Sequence, residues 1–227
     1  MKRPALLVAL ATVLVTVGFV ITWSVERDDV AAPAAEVPPV AATPAADDLE
    51  AVARTTGIPR RALSAYVGAA RTVAADDPTC RIAWNTLAGI GASESSHGSF
   101  AGATIGDDGV ASPRIVGVPL DGTGGNRAID DTDGGRLDGD TRWDRAVGPL
   151  QFIPTTWAVW GADGDGNGRK DPHDIADAAL AAARYLCDAG GDLSGSEGWS
   201  RAVLTYNQSG AYARKVARTA TEYAQAT

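Results

Sequence analysis

Residues 88–98 read AGIGASESSHG and place one acidic side chain, Glu94, in a mainly apolar setting. Glu94 follows Ile90 by four residues, which puts it on the apolar face of a helix predicted over about residues 80–95. Burial and the negative end of the helix dipole both disfavour a charged carboxylate there and raise its pKa. A carboxylic acid that stays protonated near neutral pH can act as a general acid. Glu94 is therefore a candidate catalytic residue, unless it turns out to solvent at a frayed helix end.

The composition predicts one globular domain with additional segments at the front. The chain has 227 residues, of which 45% are hydrophobic and 21% charged, as in ordinary soluble domains. Its net charge of −8 argues against nucleic-acid binding and against electrostatic capture by anionic polymers.

The first segment, residues 1–25, predicts an N-terminal signal anchor. Lys2 and Arg3 precede an uncharged, mainly apolar run over residues 4–25, and about 20 apolar residues can span a bilayer. The alternative is a cleaved signal peptide with its cleavage site hidden near residues 31–35. Both alternatives predict an extracytoplasmic protein, either anchored to the cell membrane on its outer side or secreted.

Residues 26–46 predict a linker, and residues 47–227 predict the folded catalytic domain. The linker is rich in Ala, Pro and Val, a composition typical of an extended, semi-rigid spacer. The domain is predicted to be mainly α, since it shows amphipathic helical spacing but no convincing alternating strands. The helices are expected after Pro59, from about Cys80 with Thr79 as N-cap, and over about 154–160, 175–188, 199–206 and 210–226. Residues 102–145 predict a long Gly/Asp-rich excursion with at most a small hairpin.

The two cysteines, Cys80 and Cys187, predict a disulfide, because an exported domain with an even pair of cysteines usually joins them. Two separate buried thiols are the alternative.

Residues 163–174, DGDGNGRKDPHD, match the twelve-residue EF-hand calcium loop. The predicted metal ligands occupy positions one, three, five, seven (through its carbonyl), nine and twelve: Asp163, Asp165, Asn167, Arg169, Asp171 and Asp174. Aspartate instead of glutamate at position twelve shortens the last arm, which weakens calcium binding or admits Mg²⁺. The ion is expected to be structural, the alternative is an Asx/Gly-rich turn without metal, and no organic cofactor is predicted.

Two further motifs carry polar residues that a substrate site could use. Residues 148–154 read GPLQFIP and contain Gln151, and residues 206–207 are Tyr206 and Asn207. Taken singly, Gln151 fits a surface loop and Tyr206 a core aromatic residue.

Taken in order, the Glu94-Ser95 pair, the Gln151 loop, the calcium loop and the Tyr206-Asn207 pair resemble the lytic murein transglycosylases, and most closely their membrane-bound B type. The resemblance covers about residues 80–223. It implies a goose-lysozyme-like helical fold and cleavage of the β-1,4 bond between N-acetylmuramic acid and N-acetylglucosamine in peptidoglycan, with a 1,6-anhydro product. It also implies that Glu94 is the general acid and base.

The same resemblance implies substrate contacts from Ser95, Gln151, Tyr206 and Asn207, and it makes His97 a bystander. Peptidoglycan glycan strands are then the expected partner, a monomer is expected, and the extracytoplasmic location becomes the bacterial cell membrane on the side that faces the wall. The alternatives are a muramidase of the same fold that uses water, a non-catalytic wall-binding module stabilised by calcium, and a calcium sensor.

Overall fold

The computed structural model describes residues 36–226. The predicted signal anchor and the first part of the predicted linker, together with Thr227, lie outside the described residues. Within residues 36–226, no helix is both long and apolar enough to cross a bilayer.

The described chain is mainly helical, which confirms the predicted fold class. Its α-helices are α1 (Leu49–Thr56), α2 (Arg60–Asp76), α3 (Trp84–Ser95), α4 (Pro154–Trp160), α5 (Ile175–Gly190), α6 (Ser196–Tyr206) and α7 (Gly210–Gln225). Two 3₁₀ turns, Ala46–Asp48 and Phe100–Gly102, lie at the start of α1 and after α3.

The core forms around α5, which packs against α2 and α6, while α3 packs along α7. The buried face of α5 is mostly alanine, and small side chains let helix backbones approach closely. Ala178, Ala181 and Ala182 are fully buried. Gly89 has the same function on α3, since a Cβ there would lie 2.9 Å from the carbonyl oxygen of Val216 on α7. Close packing of this kind sets the position of the end of α3, where Glu94 lies.

The helix that carries Glu94 begins at Trp84, four residues later than predicted, and Thr79 does not cap it. The predicted start was wrong because Arg81 adopts a left-handed backbone with φ of 55°, which a continuous helix does not allow. The N–H of Cys80 instead bonds the carbonyl of Asp77 in a turn. The apolar stripe itself is confirmed, with Leu87 and Ile90 fully buried.

Cys80 and Cys187 form a disulfide with Cα atoms 5.4 Å apart, as predicted. The bond joins the turn before α3 to the last part of α5 across a sequence separation of 107 residues. A disulfide that closes a loop of that length stabilises a fold by roughly 4–5 kcal/mol on the chain-entropy model. This disulfide also holds the start of the Glu94 helix to the central helix of the core.

The described end of the predicted linker, residues 36–45, lies against the helices rather than extending into solvent. Asn85, fully buried on α3, accepts a hydrogen bond from the N–H of Ala41 and donates to the carbonyls of Pro39 and Ala220. The indole N–H of Trp84 donates to the carbonyl of Ala42. These residues form a strap that belongs to the folded domain, so its packed region begins before residue 47.

The excursion between α3 and α4 contains two small antiparallel pairs rather than one hairpin. Strand β1 (Thr104–Ile105) pairs with β2 (Ala111–Ser112), and β3 (Val116–Pro119) pairs with β4 (Arg145–Val147). Between β3 and β4 the backbone is held largely by aspartates that accept N–H groups two to seven residues away: Asp131, Asp133, Asp138 and Asp140. Such Asx turns replace a regular ladder, and β4 leads directly into the Gln151 loop.

Candidate active site

Glu94 lies one residue before the end of α3 and is partly buried. The chain leaves the helix through three consecutive left-handed residues, Ser96, His97 and Gly98, with φ of 51°, 60° and 84°. Two of them are not glycine, and side-chain-bearing residues adopt this region only when their surroundings impose it. The abrupt turn leaves Glu94 at the end of an otherwise apolar helix.

Burial raises the pKa of Glu94 to about 7, from an ordinary value of 4.5. Two groups act in the opposite direction and lower the pKa, a hydrogen bond from Tyr212 and the positive charge of Lys215. The hydroxyl of Tyr212 donates to Oε1 of Glu94 at 2.5 Å. The carboxyl group therefore exchanges its proton near neutral pH, which suits a residue that first gives and then takes a proton.

Tyr212 is a site residue that sequence reasoning missed. The helical spacing of α7 places Tyr212, Val216 and Tyr223 on one side of that helix. A tyrosine on an apolar helix face is a signal in the sequence, because a buried hydroxyl needs a polar partner, but it does not identify that partner.

Tyr206 supports the loop of Gln151 rather than bonding Glu94. It is the last residue of α6, and its hydroxyl donates to the carbonyl of Leu150 at 2.7 Å. Burial and, secondarily, the charge of Glu94 raise the pKa of Tyr206, so the two side chains are near neighbours. Asn207 follows at the end of α6 and is exposed.

Ser95 holds the end of α3 to the same loop, and its substrate contact stays a prediction. Its side chain is buried, donates to the carbonyl of Pro149 at 2.6 Å and accepts the N–H of Gly98 at 2.7 Å. Both hydrogen bonds are internal, so the hydroxyl is committed to positioning the Gln151 loop beside Glu94.

Gln151 sits in a strained turn, with φ of 50°. Its Nε2 donates to the carbonyl of Gly148, and its Oε1 lies 3.0 Å from where a Cβ on Gly117 of β3 would be. A non-glycine residue in this conformation is uncommon and concentrates at functional sites. The partly buried side chain is thus placed between β3 and the tight turn at Gly148.

His97 is a structural residue, in agreement with its predicted status as a bystander. It is buried, with Nδ1 3.2 Å from the hydroxyl of Tyr66 and Nε2 2.9 Å from that of Tyr223. Burial lowers the pKa of His97 to about 4. A neutral imidazole offers one donor and one acceptor, which matches two tyrosine hydroxyls and ties the turn after Glu94 to α2 and α7.

The calcium-like loop folds as a series of turns around its first aspartate. The carboxylate of Asp163 accepts the N–H groups of Gly166, Asn167 and Gly168 at 2.8–3.1 Å. Gly166 and Gly168 have φ of 77° and 83°, a conformation that glycine adopts without steric cost.

The structure brings Asp177, rather than Asp174, to the other acidic residues of this loop. Ligand oxygens of Asp163, Asp165 and Asp177 all lie within 4.8 Å of one another. Asp174 instead caps α5, accepting the N–H groups of Ala176 and Asp177. Asp174 therefore stays a predicted ligand at position twelve, with its carboxylate in a helix cap, and Asp177 lies three residues further along the chain.

These residues fit a calcium ion. Oxygens bound to one Ca²⁺ at about 2.3–2.6 Å cannot be more than about 5 Å apart, and the three carboxylates satisfy this limit. Asp177 is fully buried, and its two oxygens accept the N–H groups of Gly164 and Asp171. Burial chiefly, and then the charges of Asp174 and Asp165, raise the pKa of Asp177, so a cation would relieve a concentration of negative charge.

Residues 129–201 match the family model of the transglycosylase SLT domain. The matched segment spans 73 of the 227 residues, about a third of the chain. The match begins in the excursion and runs through the Gln151 loop, the acidic loop and α5 into α6; Glu94, Tyr206 and Tyr212 lie outside it. The match supports the transglycosylase resemblance and the enzyme class that the motifs predicted.

Among solved structures, this chain is similar to SltB3 of Pseudomonas aeruginosa in complex with NAG-anhNAM-pentapeptide, at 18% sequence identity and a TM-score of 0.44. The alignment covers 80% of this chain and 67% of that one. No curated protein matches the chain.

Proposed function

We propose that this domain cleaves the β-1,4 bond between N-acetylmuramic acid and N-acetylglucosamine in peptidoglycan and closes a 1,6-anhydro ring on the muramoyl product. The observation that carries the proposal is the partly buried carboxyl group of Glu94, with a pKa near 7 and a hydrogen bond from Tyr212. The transglycosylase match over residues 129–201 supports the reaction class.

Glu94 acts first as an acid and then as a base. Since Oε1 accepts the Tyr212 hydroxyl, the acidic proton resides on Oε2 and passes to the glycosidic oxygen as the bond to C1 breaks. The C6 hydroxyl of the same muramoyl residue then attacks C1 and returns its proton to the Glu94 carboxylate. The enzyme is regenerated and no water is consumed.

A single carboxyl group is sufficient because the nucleophile belongs to the substrate. Most glycosidases need a second carboxylate, either as nucleophile about 5–5.5 Å away or as the base for water. A neighbouring carboxylate would raise the pKa of Glu94, but among the described residues the raising cause is burial and not a second carboxylate. A nucleophile supplied by the substrate fits this environment.

The flanking polar groups bind the sugars. Gln151, held in its strained turn, offers an amide to the substituents of the ring, and Asn207, exposed beyond α6, is a second contact. Tyr206 contributes its ring and keeps its hydroxyl on Leu150. In this proposal Gln151, Tyr206 and Asn207 contact the sugars, while Tyr212 orients Glu94 and Ser95 supports the Gln151 loop.

Calcium binding is proposed as a structural feature of the domain. Asp163, Asp165 and Asp177 would supply carboxylate oxygens, with Asn167 and the carbonyl of Arg169 completing the site and Asp171 acting at its edge. When bound, the ion would neutralise the acidic loop and hold α4 to α5; Mg²⁺ is a weaker candidate because it demands a more regular geometry. Every proton transfer is left to Glu94.

The domain acts outside the cytoplasm, as a monomer and as a member of the membrane-bound B type. The disulfide between Cys80 and Cys187 is typical of oxidising compartments. The apolar run over residues 4–25 would anchor the domain in the membrane, and the strap over residues 36–45 would begin the folded part facing the wall.

Mass spectrometry of products from purified peptidoglycan tests the proposed reaction. The expected products end in 1,6-anhydromuramoyl residues, and the Glu94→Gln variant should give none. Reducing muramoyl ends would identify a hydrolase instead. A wild-type protein that is folded and oxidised yet releases no fragments would overturn the enzymatic assignment.

A further inference from the structure

Three aromatic side chains from three different helices form a row that leads away from Glu94. Tyr206 ends α6, Tyr185 lies on α5 and Trp160 ends α4. The ring centroids of Trp160 and Tyr185 are 5.7 Å apart, and those of Tyr185 and Tyr206 are 5.8 Å apart. The planes of each pair are inclined by 35° and 42°, so the row is a gently curved surface.

The inner side of this row is packed, while the row itself stays partly exposed. Phe152 contacts Tyr206 edge-on at 5.9 Å, and Trp157 contacts Phe152 in the same way at 5.3 Å. Phe152 and Trp157 are buried, whereas Trp160, Tyr185 and Tyr206 each retain partial exposure. Core packing therefore accounts for the inner pair and leaves the outer three with accessible surface.

The hydroxyl groups of the two tyrosines are bonded to backbone, which fixes their rings. Tyr185 donates to the carbonyl of Thr205 at 3.2 Å, and Tyr206 donates to that of Leu150 at 2.7 Å. Rings held in this way lose little conformational entropy when a ligand contacts them, and such preorganisation favours binding. The row is a rigid surface with one end at the catalytic carboxyl group.

We infer that Trp160 and Tyr185 form an additional sugar-binding platform, on which a β-linked glycan strand lies beyond the pair of sugars being cleaved. Pyranose rings present faces of C–H bonds, and aromatic faces carry a negative quadrupole that attracts such groups. This inference rests on the proposed glycan substrate. It assigns Trp160 to the recognition of strand length, at a distance from the reacting bond.

The test compares glycans that can and cannot reach Trp160. Binding to long, uncrosslinked glycan strands and to a single disaccharide–peptide unit is measured by calorimetry in the Glu94→Gln background, with and without Trp160→Ala. Trp160→Phe retains an aromatic face, and Val159→Ala, at an exposed neighbour on α4, is the matched control. Melting temperatures establish that each variant is folded.

We expect Trp160→Ala to weaken binding of long strands by roughly three- to tenfold, the value of one aromatic contact. Binding of the short unit should stay unchanged, Trp160→Phe should recover most of the loss, and Val159→Ala should match the parent. Equal affinities for long strands with and without Trp160 would overturn the inference, and so would a parallel loss for both ligands. Because binding is measured without turnover, a failure of the proposed reaction would be seen separately, as absence of anhydro products from the wild type.

Discussion

The hydroxyl of Tyr212 on α7 donates a 2.5 Å hydrogen bond to Oε1 of Glu94 on α3. The contact joins residues 118 positions apart in the chain, and it stabilises the charged form of a carboxyl group that burial otherwise keeps protonated. Tyr212 is therefore a positioning residue that sets both the orientation of Glu94 and the pH at which it releases its proton.

Replacing Tyr212 with phenylalanine should slow turnover and move its pH dependence. Loss of a hydrogen bond to a charged group costs about 1.5–3 kcal/mol, so we expect kcat/KM to fall at least about tenfold. The hydrogen bond lowers the pKa of Glu94, so its removal raises that pKa, and the decline of kcat/KM at alkaline pH should shift to higher pH. Tyr223→Phe, on the same helix but bonded to His97, is the control. If kcat/KM depended on pH in the same way in Tyr212→Phe and in Tyr223→Phe, the assignment of Tyr212 would be refuted.

Glu94→Gln should abolish turnover and change how stability depends on pH. General acid–base catalysis is worth about 10²–10⁴-fold, so residual activity within tenfold of wild type would contradict the mechanism. Between about pH 4.5 and 7, the native protein keeps the Glu94 proton while the unfolded chain releases it. Raising the pH through this window should therefore lower the free energy of unfolding of the wild type, by up to about 3 kcal/mol relative to the variant.

Denaturant unfolding of both proteins at pH 5 and pH 8 measures that difference. The free energies of unfolding should diverge at the higher pH, with the glutamine variant the more stable. Parallel pH dependence in the two proteins would mean that Glu94 titrates in the folded state as it does in an unfolded chain.

Calcium should raise the melting temperature, and Asp177 should be needed for this effect. At a free calcium concentration a hundredfold above Kd, binding to the native state adds about 2.7 kcal/mol to stability. Asp177→Asn should remove the calcium-dependent increment. Asp174→Ala should lower stability by about 1 kcal/mol through loss of the helix cap and keep the increment. If only Asp174→Ala lost the calcium-dependent increment, Asp174 would be the ligand at position twelve, as the sequence predicts. A wild-type melting temperature that changes with neither calcium nor chelator would exclude the site.

Asn85→Ala should release the strap from the helices. The substitution removes three hydrogen bonds, to Pro39, Ala41 and Ala220, in a fully buried site, so we expect a loss of about 2–4 kcal/mol. Limited proteolysis should then cut within residues 36–45 before the domain unfolds. Asn126→Ala, at an exposed turn residue, is the control, and strap cleavage at equal rates in both variants would show that Asn85 does not hold the strap.

Local signals in the sequence determined most of the helical architecture. Amphipathic spacing and Pro59 before α2 identified helices, because these features act within one or two turns of the chain. The apolar face around Leu87 and Ile90 likewise identified Glu94 as an acid in a desolvated setting. The pairing of Cys80 with Cys187 followed from there being only two cysteines.

Tertiary structure decided the partners of these residues. The sequence could not show that Tyr212 bonds Glu94, that Asp177 joins Asp163, or that Ser95 holds the Gln151 loop, because each contact depends on how separate segments pack. It also could not show that residues 36–45 pack as a strap, since an Ala/Pro-rich composition predicts weak burial, and only a buried Asn85 side chain on another segment supplies the missing hydrogen bonds. Periodicity and composition report on neighbours along the chain, whereas a site is made by neighbours in space.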